Sequence, residues 1–158
     1  SSLLFKKIES IDKIKKIIIL GAGGAAKSIA YGLIEGFRNR KKDETRNLLI
    51  LNRSPSKAQE LSHALKNIDS PLKLSHGSLD EFEENIENCD LLINSTSLGM
   101  EGIDANLTLN LDNSKKDLFV YDIVYSPLET NLLSSARKFN RNFTNGLGML
   151  INLSLIHI

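Results

Sequence analysis

The chain has 158 residues, 41% of them hydrophobic and 25% charged, which is enough for one globular domain with a real core. Its 20 Lys and Arg against 19 Asp and Glu leave a formal charge of +1, so nothing points to nucleic acid or an anionic membrane as a partner. No apolar run approaches the roughly 20 residues that span a bilayer, and one cysteine, Cys89, cannot form an internal disulfide, which suits a reducing cytoplasm.

Lys6, Lys7, Lys13, Lys15 and Lys16 are interleaved with Glu9 and Asp12 and read as solvated charge, without a signal-peptide pattern. Ile17-Ile18-Ile19-Leu20 is a continuous apolar run ended by glycine, the pattern of a central strand buried on both faces. Ile29, Leu33 and Phe37 then fall on one helical face, with Ala30 and Ile34 beside it. The polar stretch from Arg38 to Arg46 reads as a solvated loop, because Asp43 and Glu44 balance its basic residues. Leu48-Leu49-Ile50-Leu51 is a second strand, and Pro55 opens a helix with Ala58, Leu61 and Leu65 as its buried stripe.

Leu72 to Ser75 is a weak third strand, which leaves His76 in a turn and His63 on a helix surface. Neither histidine has metal-ligand spacing, so no metal is expected. Phe82 and Ile86 anchor an acidic helix, with Asp80, Glu81, Glu83 and Glu84 near its positive end. Cys89 reads as a small residue ahead of strand four, Leu91-Leu92-Ile93, and its neighbours Asn88 and Asp90 offer no charge to activate it. Leu118-Phe119-Val120-Tyr121 is strand five, Leu132, Leu133, Ala136 and Phe139 mark another helix, and Phe143 sits on a short last strand. Strands alternating with helices predict an α/β fold of the Rossmann type, a doubly wound, mostly parallel sheet of five to six strands with helices on both faces.

Gly21-Ala22-Gly23-Gly24-Ala25-Ala26 follows the first strand directly, a G-x-G-x-x-A pattern. Gly21 allows the tight turn, Gly23 lets the backbone approach a pyrophosphate, and Ala26 permits close helix–strand packing. The helix start adds unpaired N–H groups and a partial positive charge. A purely structural glycine turn is the plain alternative, and the strand-to-helix context argues against it.

The end of strand two bears on cofactor choice. An acidic residue there would accept bonds from a ribose 2′-hydroxyl, but this chain has Asn52-Arg53-Ser54-Pro55-Ser56-Lys57. Arg53 can grip a 2′-phosphate with its planar fork, Ser54 can add a hydrogen bond and Lys57 a second positive charge. We therefore expect NADP rather than NAD; the competing view is that Arg53 and Lys57 are ordinary surface charges. The long spacing from Gly21 to Asn52 is absorbed by the Arg38-to-Arg46 insertion.

Three further polar segments follow strand ends: Asp90-Leu91-Leu92-Ile93-Asn94-Ser95-Thr96-Ser97-Leu98-Gly99-Met100, then Tyr121-Asp122-Ile123-Val124-Tyr125-Ser126-Pro127-Leu128-Glu129-Thr130, then Asn145-Gly146-Leu147-Gly148-Met149-Leu150. With the glycine loop and Asn52-Arg53-Ser54, these five motifs in order resemble the C-terminal, NADP-binding domain of shikimate dehydrogenases, from about Ile17 to Leu150. The resemblance implies NADPH-dependent reduction of 3-dehydroshikimate to shikimate, on the way to aromatic amino acids. It implies that Gly21, Ala22, Gly23, Gly24 and Ala25 hold the pyrophosphate, and Asn52, Arg53, Ser54 and Lys57 the adenosine phosphate. Thr96, Ile123 and Gly146 would line the nicotinamide side and Tyr125 would reach the substrate. Ile123 on a buried face and Tyr125 as packing are the plainer readings, and Asp122 is taken to hydrogen-bond a loop without a catalytic role.

The family's catalytic Lys–Asp pair belongs to a substrate domain that would precede residue 17. Residues 1–16, with Leu4, Ile8 and Ile11 on one face, read as the end of an interdomain connecting helix. A substrate-binding Gln is expected at position 153, where this chain has Leu153, and residues 153–158 read as a foreign, adapter-derived tail. Residues 17–152 are thus the expected dinucleotide-binding domain, without catalysis of its own. Two alternatives are a non-catalytic NADP-sensing module and a domain like that of glutamyl-tRNA reductases. Oligomeric state and the choice between shikimate and quinate are not legible in the sequence.

Overall fold

The computed structural model describes residues 13–38, 45–96, 109–122, 138 and 142–144. In chain order they form β1 (Lys16–Leu20), α1 (Gly24–Arg38), β2 (Arg46–Asn52), α2 (Pro55–Lys66) and β3 (Leu72–Ser78). A 3₁₀ turn (Leu79–Glu81) leads into the one-turn helix α3 (Phe82–Asn85), followed by β4 (Leu91–Asn94), β5 (Phe119–Asp122) and β6 (Asn142–Thr144). The six strands make one sheet in the order β3-β2-β1-β4-β5-β6, and every pairing is parallel. The order reverses between β1 and β4, which opens a crevice above the carboxyl ends of those two strands.

The central strands carry apolar residues on both faces, as a parallel sheet covered on both sides requires. Ile17 and Ile19 point with Leu48 and Ile50 into one cluster, which Ile29, Ala30, Leu33 and Phe37 of α1 and Ala58, Leu61 and Leu65 of α2 complete. Ile18, Leu20, Leu49 and Leu51 point the other way, onto Phe82, Ile86 and a segment carrying Leu109, Leu111 and Leu118. All of the residues expected on the inner faces of α1 and α2 are buried. Burying one such side chain stabilises by about 1.5–3 kcal/mol, so these two faces supply most of the drive to fold.

Three local expectations need correction. Arg38 ends α1 and Arg46 begins β2, so neither belongs to a loop. Arg46 is only 2% exposed: its Nε donates to the Ile14 carbonyl at 3.0 Å and its guanidinium lies 4.8 Å from the Phe37 ring centre. A charge so placed is tolerated because hydrogen bonding and an aromatic face replace its water. The third strand is not weak either. It runs through His76 to Ser78, paired along its full length with β2, and the His76 ring meets that of His63 edge-on at 6.2 Å.

The acidic helix is shorter than its sequence pattern suggests, a 3₁₀ turn and one α turn. Glu81 accounts for the compactness, since its carboxylate accepts the Ser78 backbone N–H at 2.6 Å in a capping box. Gly77 stands where any Cβ would collide with that carboxylate. Residues 1–12, residues 153–158 and most of the helix expected around Leu132 to Phe139 lie outside the described residues.

Candidate functional site

The parallel register brings four strand ends into one row: Leu20 pairs with Leu51 on one side and Asn94 on the other, and Asn94 pairs with Asp122. The loop between β1 and α1 rises from the middle of that row. Gly21 is held there by its own N–H, which donates to the Leu51 carbonyl at 2.8 Å. Its φ of +113° is a conformation that side chains rarely adopt. A Cβ on Gly21 would also run into Ser95 Oγ and stand 3.1 Å from Thr96 Cγ2. The first glycine is therefore needed twice, for the turn and for the close approach of the loop after β4.

Gly23 and Gly24 have no such internal reason. Among the described residues a Cβ on either would meet nothing within 4 Å, and both residues are exposed together with Ala25. The room beside them is a cradle that a side chain would fill. Behind it Ala26 is fully buried, and the Gly23 carbonyl accepts the Lys27 N–H at 3.0 Å as α1 begins. No acidic residue lies in the first turn of α1 to compete with an anion for its N–H groups.

The neighbouring strand end carries the expected cationic group. Asn52 is half-buried and donates its Nδ2 to the Ser54 carbonyl at 3.1 Å, which shapes the turn out of β2. Arg53 follows it, exposed, and Lys57 is exposed one turn into α2. Pro55 sits at the start of α2 with Ser54 as N-cap, but the Ser54 hydroxyl pairs with Ser56 Oγ at 3.0 Å instead of capping the helix. The first turn of α2 also contains no acidic residue. Two helix starts and two basic side chains, with no carboxylate among them, make this side of the crevice attractive to phosphate.

The other side is built from buried polar groups. Ser95 donates from its N–H at 2.8 Å and its hydroxyl at 2.7 Å, both to the Leu20 carbonyl, and so binds the β4 exit to the β1 exit. Asn94, fully buried, accepts at Oδ1 from the Thr96 N–H at 3.0 Å and from Thr96 Oγ1 at 2.6 Å. Its Nδ2 donates to Asp122 Oδ2 at 3.3 Å, and Asp122 is fully buried as well. The sequence pattern gives Asn94 and Ser95 at the β4 exit, and Asp122 at the end of β5, no part in the site. An Asn followed two residues later by a Thr at a strand end is a turn signal that points to Asn94. The Ser95 contact crosses 75 residues and leaves no local trace.

Thr96 is thus brought beside Gly21, and the glycine loop beside Asn52 and Arg53, while Ile123, Tyr125 and Gly146 lie outside the described residues. Among the described residues no cluster of three His, Cys, Asp or Glu side chains could hold a metal ion, and no helix is long and apolar enough to cross a membrane. Burial pushes the Cys89 thiol up to about 12, and it donates to the Leu91 carbonyl at 3.2 Å, so it is no nucleophile. A shallow hollow of about 370 Å³ between Lys66 and Leu74 lies at the amino end of β3, away from the crevice.

Comparison with known proteins matches residues 3–132 to the family described as shikimate / quinate 5-dehydrogenase. A shikimate dehydrogenase (NADP(+)) of Methanococcus maripaludis is 39% identical over 142 residues, covering 87% of this chain and 46% of that protein. A Geobacillus enzyme of the same name is 40% identical over 139 residues, with 88% and 47% covered. The chain therefore spans about half the length of the curated relatives it matches. Among solved structures, a shikimate dehydrogenase in complex with NADP+ superposes with a TM-score of 0.67 at 34% identity, covering 98% of this chain and 50% of that one. A quinate dehydrogenase from Corynebacterium glutamicum in complex with NAD gives a TM-score of 0.72 at 25% identity, covering 94% and 51%.

Proposed function

Because the chain belongs to the shikimate / quinate 5-dehydrogenase family, we propose that it is the NADP-binding half of an oxidoreductase that reduces 3-dehydroshikimate to shikimate. Membership favours this over the glutamyl-tRNA reductase alternative. Solved relatives carry either NAD or NADP, so fold alone does not choose the cofactor. The observation that carries the choice is the combination at β2: a strand end with Arg53 and Lys57 and no carboxylate, next to a glycine cradle open to a pyrophosphate. A 2′-phosphate there meets positive charge, whereas the ribose 2′-hydroxyl of NAD meets no acidic acceptor.

In this reading the N–H groups from Gly21 to Ala25 and the start of α1 hold the pyrophosphate. Asn52 shapes the turn, Arg53 and Lys57 hold the adenosine phosphate, and Ser54 contributes its hydroxyl. Thr96, with Ile123 and Gly146, borders the nicotinamide, and Tyr125 faces the substrate. When bound, NADPH supplies the hydride that reduces the substrate carbonyl. The protein's contribution is orientation, since a well-placed pair of reactants reacts far faster than a free one. The Lys–Asp pair that the resemblance implies for proton transfer would lie outside these residues, which span about half the length of the curated relatives. Cytoplasmic operation fits the protonated, buried Cys89 thiol.

Titration of the purified chain with NADP and NAD tests the assignment. NADP binds more tightly by at least about tenfold, and Arg53→Asp erases the preference while leaving stability within about 0.5 kcal/mol. Equal binding of both dinucleotides by the parent chain would overturn the pocket assignment. Shikimate added with NADP to the 158-residue chain gives no NADPH absorbance; turnover would place catalytic groups within it.

A further inference from the structure

Asp122 closes β5 with its side chain fully buried, and the reading above gives it nothing to do. Its Oδ2 accepts the Asn94 Nδ2 across the β4–β5 pairing, where the two residues stand directly opposite one another. A primary amide has a donor end and an acceptor end. The orientation that offers its donor to a carboxylate is the one that turns its carbonyl away, here toward Thr96. In the flipped orientation a carbonyl oxygen would face a carboxylate oxygen, and the Thr96 N–H and hydroxyl would face an NH₂ group. Burial raises the cost of that mismatch, because a fully buried amide and carboxylate cannot turn to bulk solvent instead.

The consequence reaches the crevice. Both Thr96 donors end on Asn94 Oδ1, and Thr96 Cγ2 lies against Gly21, so the amide setting fixes where the Thr96 backbone and side chain stand beside the glycine loop. β4 is the first strand of the second mononucleotide half, where a dinucleotide lays its nicotinamide end. We infer that Asp122 is a positioning residue that sets the Asn94 amide and, through it, holds Thr96 at the nicotinamide side of the crevice. The inference rests on the NADP reading above.

Calorimetric titration of the 158-residue chain with NADP and, separately, with 2′,5′-ADP tests it, since the second ligand carries the adenosine phosphates without nicotinamide. Asp122→Ala weakens NADP by about tenfold and leaves 2′,5′-ADP within about twofold. Asn94→Asp sets two carboxylates face to face and has the same selective effect. Combining Asn94→Asp with Asp122→Asn restores a donor–acceptor pair of reversed polarity, and NADP affinity returns to within about threefold of the parent. Unchanged NADP binding in Asp122→Ala overturns the positioning role, as does an equal loss of both ligands with no recovery in the exchange pair. If Asp122→Ala fails to fold, Asn94→Asp against the exchange pair decides. A parent chain that binds neither ligand overturns the NADP reading and this inference together. A parent that binds both, with variants that match it, overturns this one alone.

Discussion

On the β1–β2 side of the crevice Gly23, Gly24, Ala25, Arg53 and Lys57 are exposed, and backbone conformation sets the shape. On the β4–β5 side Asn94 and Asp122 are fully buried, and side-chain hydrogen bonds set it. The first side can be remade without touching the core, because among the described residues nothing packs where a Cβ on Gly23 or Gly24 would stand. The second cannot, because its buried polar groups are bonded to each other and to the strand ends. Substitutions should therefore separate, with losses of ligand on one side and losses of ligand and fold together on the other. Gly21 stands where the two meet.

The largest effect is expected at that junction. Gly21→Ala combines a disallowed φ with a collision against Ser95, and chemical denaturation should show a loss of about 3 kcal/mol or more with no residual dinucleotide binding. A variant of parental stability would mean that the two loops are not in contact. Asn94→Leu leaves the Asp122 carboxylate and both Thr96 donors without this partner, at a cost of about 2 kcal/mol in the same measurement. A neutral result would place the strength of the β4–β5 side elsewhere.

Alkaline pH probes a buried group on neither side. The Cys89 thiol, ordinarily at 9.0 and pushed up to about 12 by burial, keeps its proton in the folded chain while the unfolded chain loses it. The unfolded state then binds fewer protons, so the Cys89 contribution to stability is level below pH 9 and falls toward pH 12, by at most about 1.4 kcal/mol per pH unit. Lys115, held protonated by its hydrogen bond and ion pair with Asp90, pulls the same way. Lys16, whose cation is disfavoured by burial, opposes it. Cys89→Ala should flatten the slope of unfolding free energy against pH; an unaltered slope assigns the alkaline loss to Lys115. The smallest stability effect, about 1 kcal/mol or less, belongs to Gly23→Ala, which should nonetheless weaken NADP by about tenfold because its methyl enters the open cradle.

Much of the molecule was legible before its structure. The runs Ile17 to Leu20 and Leu48 to Leu51, and the stripes on α1 and α2, are local periodicities, and each became a buried face as expected. Arg46 is not legible as buried because charge alone says solvent, whereas the approach of Phe37 and the Ile14 carbonyl helps make its burial tolerable. His76 was misread because β3 is an edge strand whose polar residues alternate with little apolar signal. The acidic run reads as a helix start under a general dipole effect, and the structure narrows that to one carboxylate, Glu81, closing one capping box. Gly21 was legible as a turn residue but not as a contact, since Ser95 arrives from a distant part of the chain.

The order of residues alone decided the class of fold, the glycine loop and the cationic strand end, because strand, helix and turn propensities act over a few neighbouring positions. What needed the folded chain was the meeting of Leu20, Asn94 and Asp122 in adjacent register, and with it the Ser95 and Thr96 contacts at Gly21. Hydrogen bonds between residues 28 and 75 positions apart depend on which strands become neighbours. That pairing is fixed by the burial of both sheet faces at once, a property of the whole domain rather than of any segment.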